Sequence, residues 1–201
     1  QDIKQIIEGI ITKQMVGTSI GVTMGELRSI EIFVLGDAVV PGMYTISSLT
    51  TLTNALFSSG GINVTGSLRN IQLKRKGKVI STLDFYDLLL KGDTSQDVGM
   101  KRGDVIFIPP IAKTAGVAGE VVRPGIYELK EDETLEDLIR FAGNLKPKAD
   151  IVGAEIRRVS SIGNGFETLT VNLNNPDNFG LKHGDMLNVY PVLNNLTNVV
   201  L

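Results

Sequence analysis

Five cations fall within ten residues, Arg69, Lys74, Arg75, Lys76 and Lys78, and a second pair, Arg157 and Arg158, stands 83 positions beyond Lys74 and Arg75. Guanidinium and ammonium groups at this density can hold carboxylate, phosphate or sulfate, arginine doing so bidentately. Arg69, Lys74, Arg75, Arg157 and Arg158 are therefore the candidate ligand-binding residues, for an acidic polymer or an acidic neighbouring subunit; the plainer reading is a solvated hairpin face. Other reactive groups are sparse. The one histidine, His183, lies in a Lys-His-Gly-Asp turn whose earlier counterpart is Arg102. A place that accepts either residue suits a turn better than a general base. Gly103-Asp104 and Gly184-Asp185 suit turns in which the aspartate accepts backbone N–H bonds ahead of a strand, and a metal would need more converging oxygens than they supply. Asp37 and Glu120 follow glycines at strand ends. Catalytic carboxylates work as a pair across one cleft, whereas these are a single position repeated, so they read as local hydrogen-bond acceptors.

The elements that must position these residues are organised as a repeat. Gly36 to Gly61 recurs without a gap as Gly119 to Asn144, pairing Gly36 with Gly119, Pro41 with Pro124, Gly42 with Gly125, Tyr44 with Tyr127, Thr51 with Thr134 and Gly60 with Gly143. Self-similarity at a fixed period outranks any single residue as a guide to fold. Each copy opens on an apolar strand and then carries X-Pro-Gly-X. Proline presets φ for position i+1 and glycine accepts the positive φ of position i+2 of a type II turn. Val40-Pro41-Gly42-Met43 and Arg123-Pro124-Gly125-Ile126 are therefore expected to be tight turns joining two strands, and Gly36, Pro41 and Gly42, with Gly119, Pro124 and Gly125, form the structural turn motif. A half-buried strand follows, from Tyr44 or Tyr127. Then comes a short helix with Thr51 or Thr134 as N-cap, Asn54 or Asp137 three residues on, and a left-handed glycine to stop it. The two tyrosines read as core or interface aromatics.

Each copy continues into a hairpin, Asn70 to Leu83 around Gly77 and a counterpart from Ile156 with a longer loop at Ser160 to Gly165. A capped helix from Asp84 to Leu90 ends at Gly92, and the Asn-rich stretch 174 to 179 replaces it in the second copy. A Gly-Asp turn then feeds a last strand that stops at Pro110 or Pro191. Ahead of the repeats, Ile3, Ile6, Ile7, Ile10 and Ile11 mark an amphipathic helix, with a short strand at Gly21 to Met24. The boundaries are 1–29 for this leading piece, 30–112 and 113–192 for the repeats, and 193–201 for the start of a following segment or third repeat.

Composition excludes several classes. A formal charge of −2 from 20 basic and 22 acidic residues leaves no footprint for nucleic acid. There is no cysteine, hence no thiol nucleophile or thiolate cluster. No apolar run reaches the length of a membrane span, and no phosphate-binding glycine motif is present. Tryptophan is absent and tyrosines number four, which argues against a sugar-stacking platform. No cofactor, no metal and no catalytic residue is expected. The chain begins at Gln1 and reads as a piece of a longer protein.

The patterns Val-x-Gly-[Asp/Glu]-Val-x-x-Pro-Gly-x-Tyr, in which Ala38 of the first copy replaces the commoner valine, Thr-Leu followed by a helix and Gly, and Gly-Asp before a strand ending in Pro resemble the SLBB domain. This is the soluble-ligand-binding β-grasp module of outer-membrane polysaccharide export proteins of the Wza type. The resemblance implies an α+β fold, two tandem β-grasp-like SLBB domains preceded by an N-terminal helix that resembles the tail of an export domain. It further implies a periplasmic protein anchored at the outer membrane and working as a homo-oligomeric conduit. Its partners would be exported capsule or exopolysaccharide and an inner-membrane polysaccharide co-polymerase. The alternative is a soluble saccharide-binding module that recognises an anionic polymer.

Overall fold

The computed structural model describes residues 28–160, 163, 165–176 and 179–192. The amphipathic helix and strand expected before residue 28, and the segment expected after residue 192, lie outside the described residues.

The first repeat is a five-stranded mixed sheet built from β1 (Ser29–Gly36), β2 (Gly42–Ser47), β3 (Ile71–Arg75), β4 (Lys78–Leu83) and β5 (Val105–Ile108). Its order is β2-β1-β5-β3-β4, with β1 and β5 parallel at the centre. The second repeat uses β6 (Lys113–Gly119), β7 (Gly125–Leu129), β8 (Ala154–Val159), β9 (Phe166–Val171) and β10 (Asp185–Val189) in the equivalent order β7-β6-β10-β8-β9. Among the described residues three short helices accompany them: α1 (Leu52–Ser58) and α2 (Phe85–Lys91) in the first unit and α3 (Leu135–Phe141) in the second. This is an α+β fold of two tandem units.

Period-two burial fixes each sheet's inner face. Along β1, Ile30, Ile32 and Val34 are buried and Phe33 and Leu35 exposed. Leu52, Ala55 and Leu56 of α1 close the first core, and Leu135, Leu138 and Ile139 of α3 close the second. Full burial of a leucine or isoleucine stabilises by about 1.5–3 kcal/mol, so these positions hold each unit together. The helix ends follow the expected chemistry. The Asn54 N–H donates to Thr51 Oγ1, the Thr134 N–H donates to Asp137 Oδ2 at 2.9 Å, and Gly60 and Gly143 take φ of 93° and 78°. Asp84 caps α2 and left-handed Gly92 ends it. In the first hairpin, Lys76 and Gly77 both have positive φ, the requirement of a type I′ turn.

The Pro-Gly motif departs from expectation. Gly42 and Gly125 are not among the described residues with positive φ; Gly36 and Gly119 are, at 84° and 89°. The chain reversal is thus not a tight type II turn at Pro41-Gly42. It begins at Gly36, passes Ala38, which bridges to Ile62, and reaches β2 only at Gly42. Crowding explains the glycine: a Cβ on Gly36 would lie 2.0 Å from the Ile108 carbonyl oxygen, and one on Gly119 1.9 Å from that of Val189. The tyrosine two residues beyond each Pro-Gly ties the loop, with Tyr44 Oη donating to the Val40 carbonyl and Tyr127 Oη to that of Arg123, both at 2.6 Å.

Candidate functional site

The predicted cations are not gathered at one place. Arg75 Nε and Nη2 each donate to Asp104 at 2.7 Å, and Arg158 makes the same fork to Asp185 at 2.8 and 2.6 Å. Asp104 is 0% exposed and Asp185 1%. Each aspartate also accepts its turn's N–H, from Lys101 or Lys182, at 2.8 Å, as expected of the Gly-Asp turn. The side-chain bond to the carboxylate is the main reason each arginine pKa is raised, against the opposing effect of burial. One Arg–Asp clasp per unit thus joins the hairpin to the last strand. Lys74 Nζ lies 4.0 Å from the centre of the Phe107 ring, and the Arg157 guanidinium 4.0 Å from that of Phe166. His183 Nδ1 accepts the Thr114 N–H at 3.1 Å, at the place where Arg102 meets Glu31 in the first unit. At Asp37 and Glu120 the described hydrogen bonds run through the main chain, whose carbonyls accept from Asn63 and Lys146.

Arg69 stands apart from the hairpin cations. It is 6% exposed and lies in the seam between the units. Its Nη2 and Nε reach Asp84 at 3.1–3.3 Å, while Nη1 pairs with Glu133 and donates to the Glu128 carbonyl at 3.2 Å. The guanidinium packs over Tyr86 and Phe141 at 4.5 and 4.9 Å from their ring centres. Burial works to lower the Arg69 pKa, and the Glu133 and Asp84 carboxylates overrule it, so the pKa is raised. Asp84 is likewise held in its charged form, which for a carboxyl means a lowered pKa. Burial favours its neutral form, but Arg69, Lys130 and the Tyr86 N–H hold it below the usual carboxylate value.

The rest of the seam is equally specific. Glu128, 5% exposed, accepts the Ser67 hydroxyl at 2.6 Å and the Leu68 N–H at 2.8 Å. Tyr86 Oη accepts the Glu128 N–H at 3.0 Å, and its ring meets Tyr127 and Phe141 edge-on, joining the second unit's core. Burial pushes the Tyr86 phenol up, so it stays protonated. Two clefts flank this network. One of about 540 Å³ is lined by Asp84, Asp87, Asp93, Glu128 and Glu131 with Arg69 and Lys130. The other, about 380 Å³, is lined by Arg69, Lys91, Arg123 and Arg140 with Asp87 and Glu133. The first is acidic in balance and the second basic. Among the described residues no cluster of three or more metal-ligating side chains occurs, and no helix is long and apolar enough to cross a membrane.

The sequence carried a signal for the seam that its regular repeat conceals. Glu128, Lys130, Glu133 and Phe141 occupy the places of Thr45, Ser47, Thr50 and Ser58, and Arg69 the place of Val152. The side chains that join the units stand at positions where the two copies disagree.

Comparison with known proteins bears on the same two units. Over 110 residues, 53% of this chain, the sequence is 30% identical to two curated proteins from Escherichia coli, each named polysialic acid transport protein KpsD. The matched stretch spans 19% of the length of those relatives. Residues 31–108 and 114–164 match SLBB domain profiles, one in each sheet. With its two sheets in the same strand order and both domain matches falling on them, the chain belongs to the SLBB domain family.

Proposed function

We propose that the chain is a non-enzymatic, load-sharing segment of a polysaccharide export assembly. In this reading the longer protein is periplasmic, anchored at the outer membrane, and forms a homo-oligomeric ring around the polymer's path, with an inner-membrane co-polymerase as its partner. The relatives' name points to polysaccharide transport. The observation that carries the scaffold reading is the buried Arg69 network, which spends charge on joining two SLBB units instead of presenting it to a substrate. The Arg75–Asp104 and Arg158–Asp185 clasps use charge in the same internal way.

A complementation assay tests this. The full-length protein carrying Arg69→Ala, expressed in a strain lacking the gene, is expected to lower surface polysaccharide and to give fewer closed rings by negative-stain microscopy. Normal export from a strain deleted for the whole gene, or a strictly monomeric full-length protein, would overturn the proposal.

A further inference from the structure

We propose that the basic cleft beside Arg69 is a subsite for the carboxylate of an acidic saccharide. The choice of a saccharide rests on the export reading; the choice of an anion rests on the cleft itself. Four cations line it against two carboxylates. Arg69 is consumed by Asp84 and Glu133, which leaves Lys91, Arg123 and Arg140 as the groups facing the space. Arg123 donates to the Phe141 carbonyl at 3.1 Å, and among the described residues it has no carboxylate partner. Lys91 and Arg140 pair with Asp87 and Asp137 one turn away on their own helices, and exposed pairs of that kind are weak and exchange partners readily.

The internal repeat supplies a control. The places of Arg123 and Arg140 in the first unit belong to Val40 and Phe57, and that unit folds in the same strand order. Neither arginine is required by the fold, and both replacements fall in one cleft. The Arg123 guanidinium is also seated: a Cβ on Gly143 would lie 3.2 Å from its Cζ, at a backbone φ of 78°, so glycine there leaves room for the cation. Exposed Leu89 and Leu90 form an apolar wall, against which a pyranose C–H face can rest. A volume of about 380 Å³ sits at the small end of ligand clefts, about 300–1,000 Å³, which suits one sugar of a chain and not an extended stretch.

The test uses the intact chain in buffer of low ionic strength, with trigalacturonate as the acidic probe and maltotriose as the neutral one. Titration calorimetry and amide chemical shifts supply the readouts. Binding of trigalacturonate but not maltotriose is expected, with shifts centred on Leu89, Arg123 and Asn144. The double variant R123V/R140F installs the residues the first unit already tolerates, and its affinity is expected to fall at least about tenfold, as loss of charge-assisted contacts requires. An unchanged thermal melt establishes that the variant folds. Equal affinity of variant and parent, equal binding of both probes, shifts centred on the Arg75 or Arg158 hairpins, or no binding would each overturn the subsite. None of these outcomes bears on ring formation, so the scaffold reading stands or falls separately.

Discussion

Replacing Arg69 with alanine removes the cation that lies between two carboxylates of different units. Asp84 keeps the Lys130 ammonium at 2.8 Å and the Tyr86 N–H at 2.8 Å, and Glu133 keeps the Lys130 N–H at 2.8 Å. Breaking a buried ion pair costs about 3–5 kcal/mol, and these surviving donors place the loss toward the lower end. The guanidinium's packing over Tyr86 and Phe141 adds up to about 1 kcal/mol. The expected cost is therefore about 3–4 kcal/mol, which for a chain of this size lowers Tm by roughly 6–16 °C. Urea unfolding followed by tyrosine fluorescence and by amide exchange measures it. The variant is expected to separate one cooperative transition into two, because the lost contacts join the units more than they hold either together. A double-mutant cycle with Glu133→Gln isolates the cross-seam share. A cost under about 1 kcal/mol with cooperativity intact, or a coupling energy near zero, would refute the idea that Arg69 joins the units.

Acid should act on the same seam. Asp84 has a folded pKa below its ordinary value of 3.8, so its ionised form stabilises the fold above that value, and the contribution is lost as pH falls through the folded pKa. Melts from pH 5 to 2 are expected to show this loss, and Asp84→Asn to flatten the slope; identical profiles would contradict it. Gly36→Ala and Gly119→Ala each force a Cβ against a carbonyl and a side chain into a left-handed backbone. Each should destabilise its unit by at least about 2 kcal/mol, and a chemical-denaturation midpoint within experimental error of the parent would contradict that. Arg75→Met and Arg158→Met strand buried Asp104 and Asp185. With one backbone N–H left to each carboxylate, a cost of about 2–3 kcal/mol is expected by the same denaturation assay, and neutral variants would show that the clasps carry no weight.

Much of the fold was legible because it is written twice. Thr134 with Asp137, Gly60 with Gly143 and the alternation along β1 all encode local structure, and local structure follows from nearest neighbours along the chain. The Pro-Gly motif suggests a left-handed residue at Gly42 and Gly125, whereas the chain places it at Gly36 and Gly119. The constraint comes instead from the Ile108 and Val189 carbonyls, which belong to strands 72 and 70 residues away from Gly36 and Gly119 and leave no trace in a tetrapeptide. The same limit governed the cations. Charge density grouped Arg69 with the hairpin residues, yet Arg69 precedes β3 and turns into the seam, while Arg75 meets an aspartate 29 residues away. Long-range partners decide whether a cation is a site or a tie. Position-by-position mismatch between the copies, Thr50 against Glu133 or Val40 against Arg123, is where that information resided.

Residual dipolar couplings of the two sheets in one weakly aligned sample test the central claim, that buried charge joins two like units into one body. The account predicts that couplings from β1–β5 and from β6–β10 fit a single alignment tensor, and that Arg69→Ala splits it into two. Separate tensors for the parent chain would contradict it.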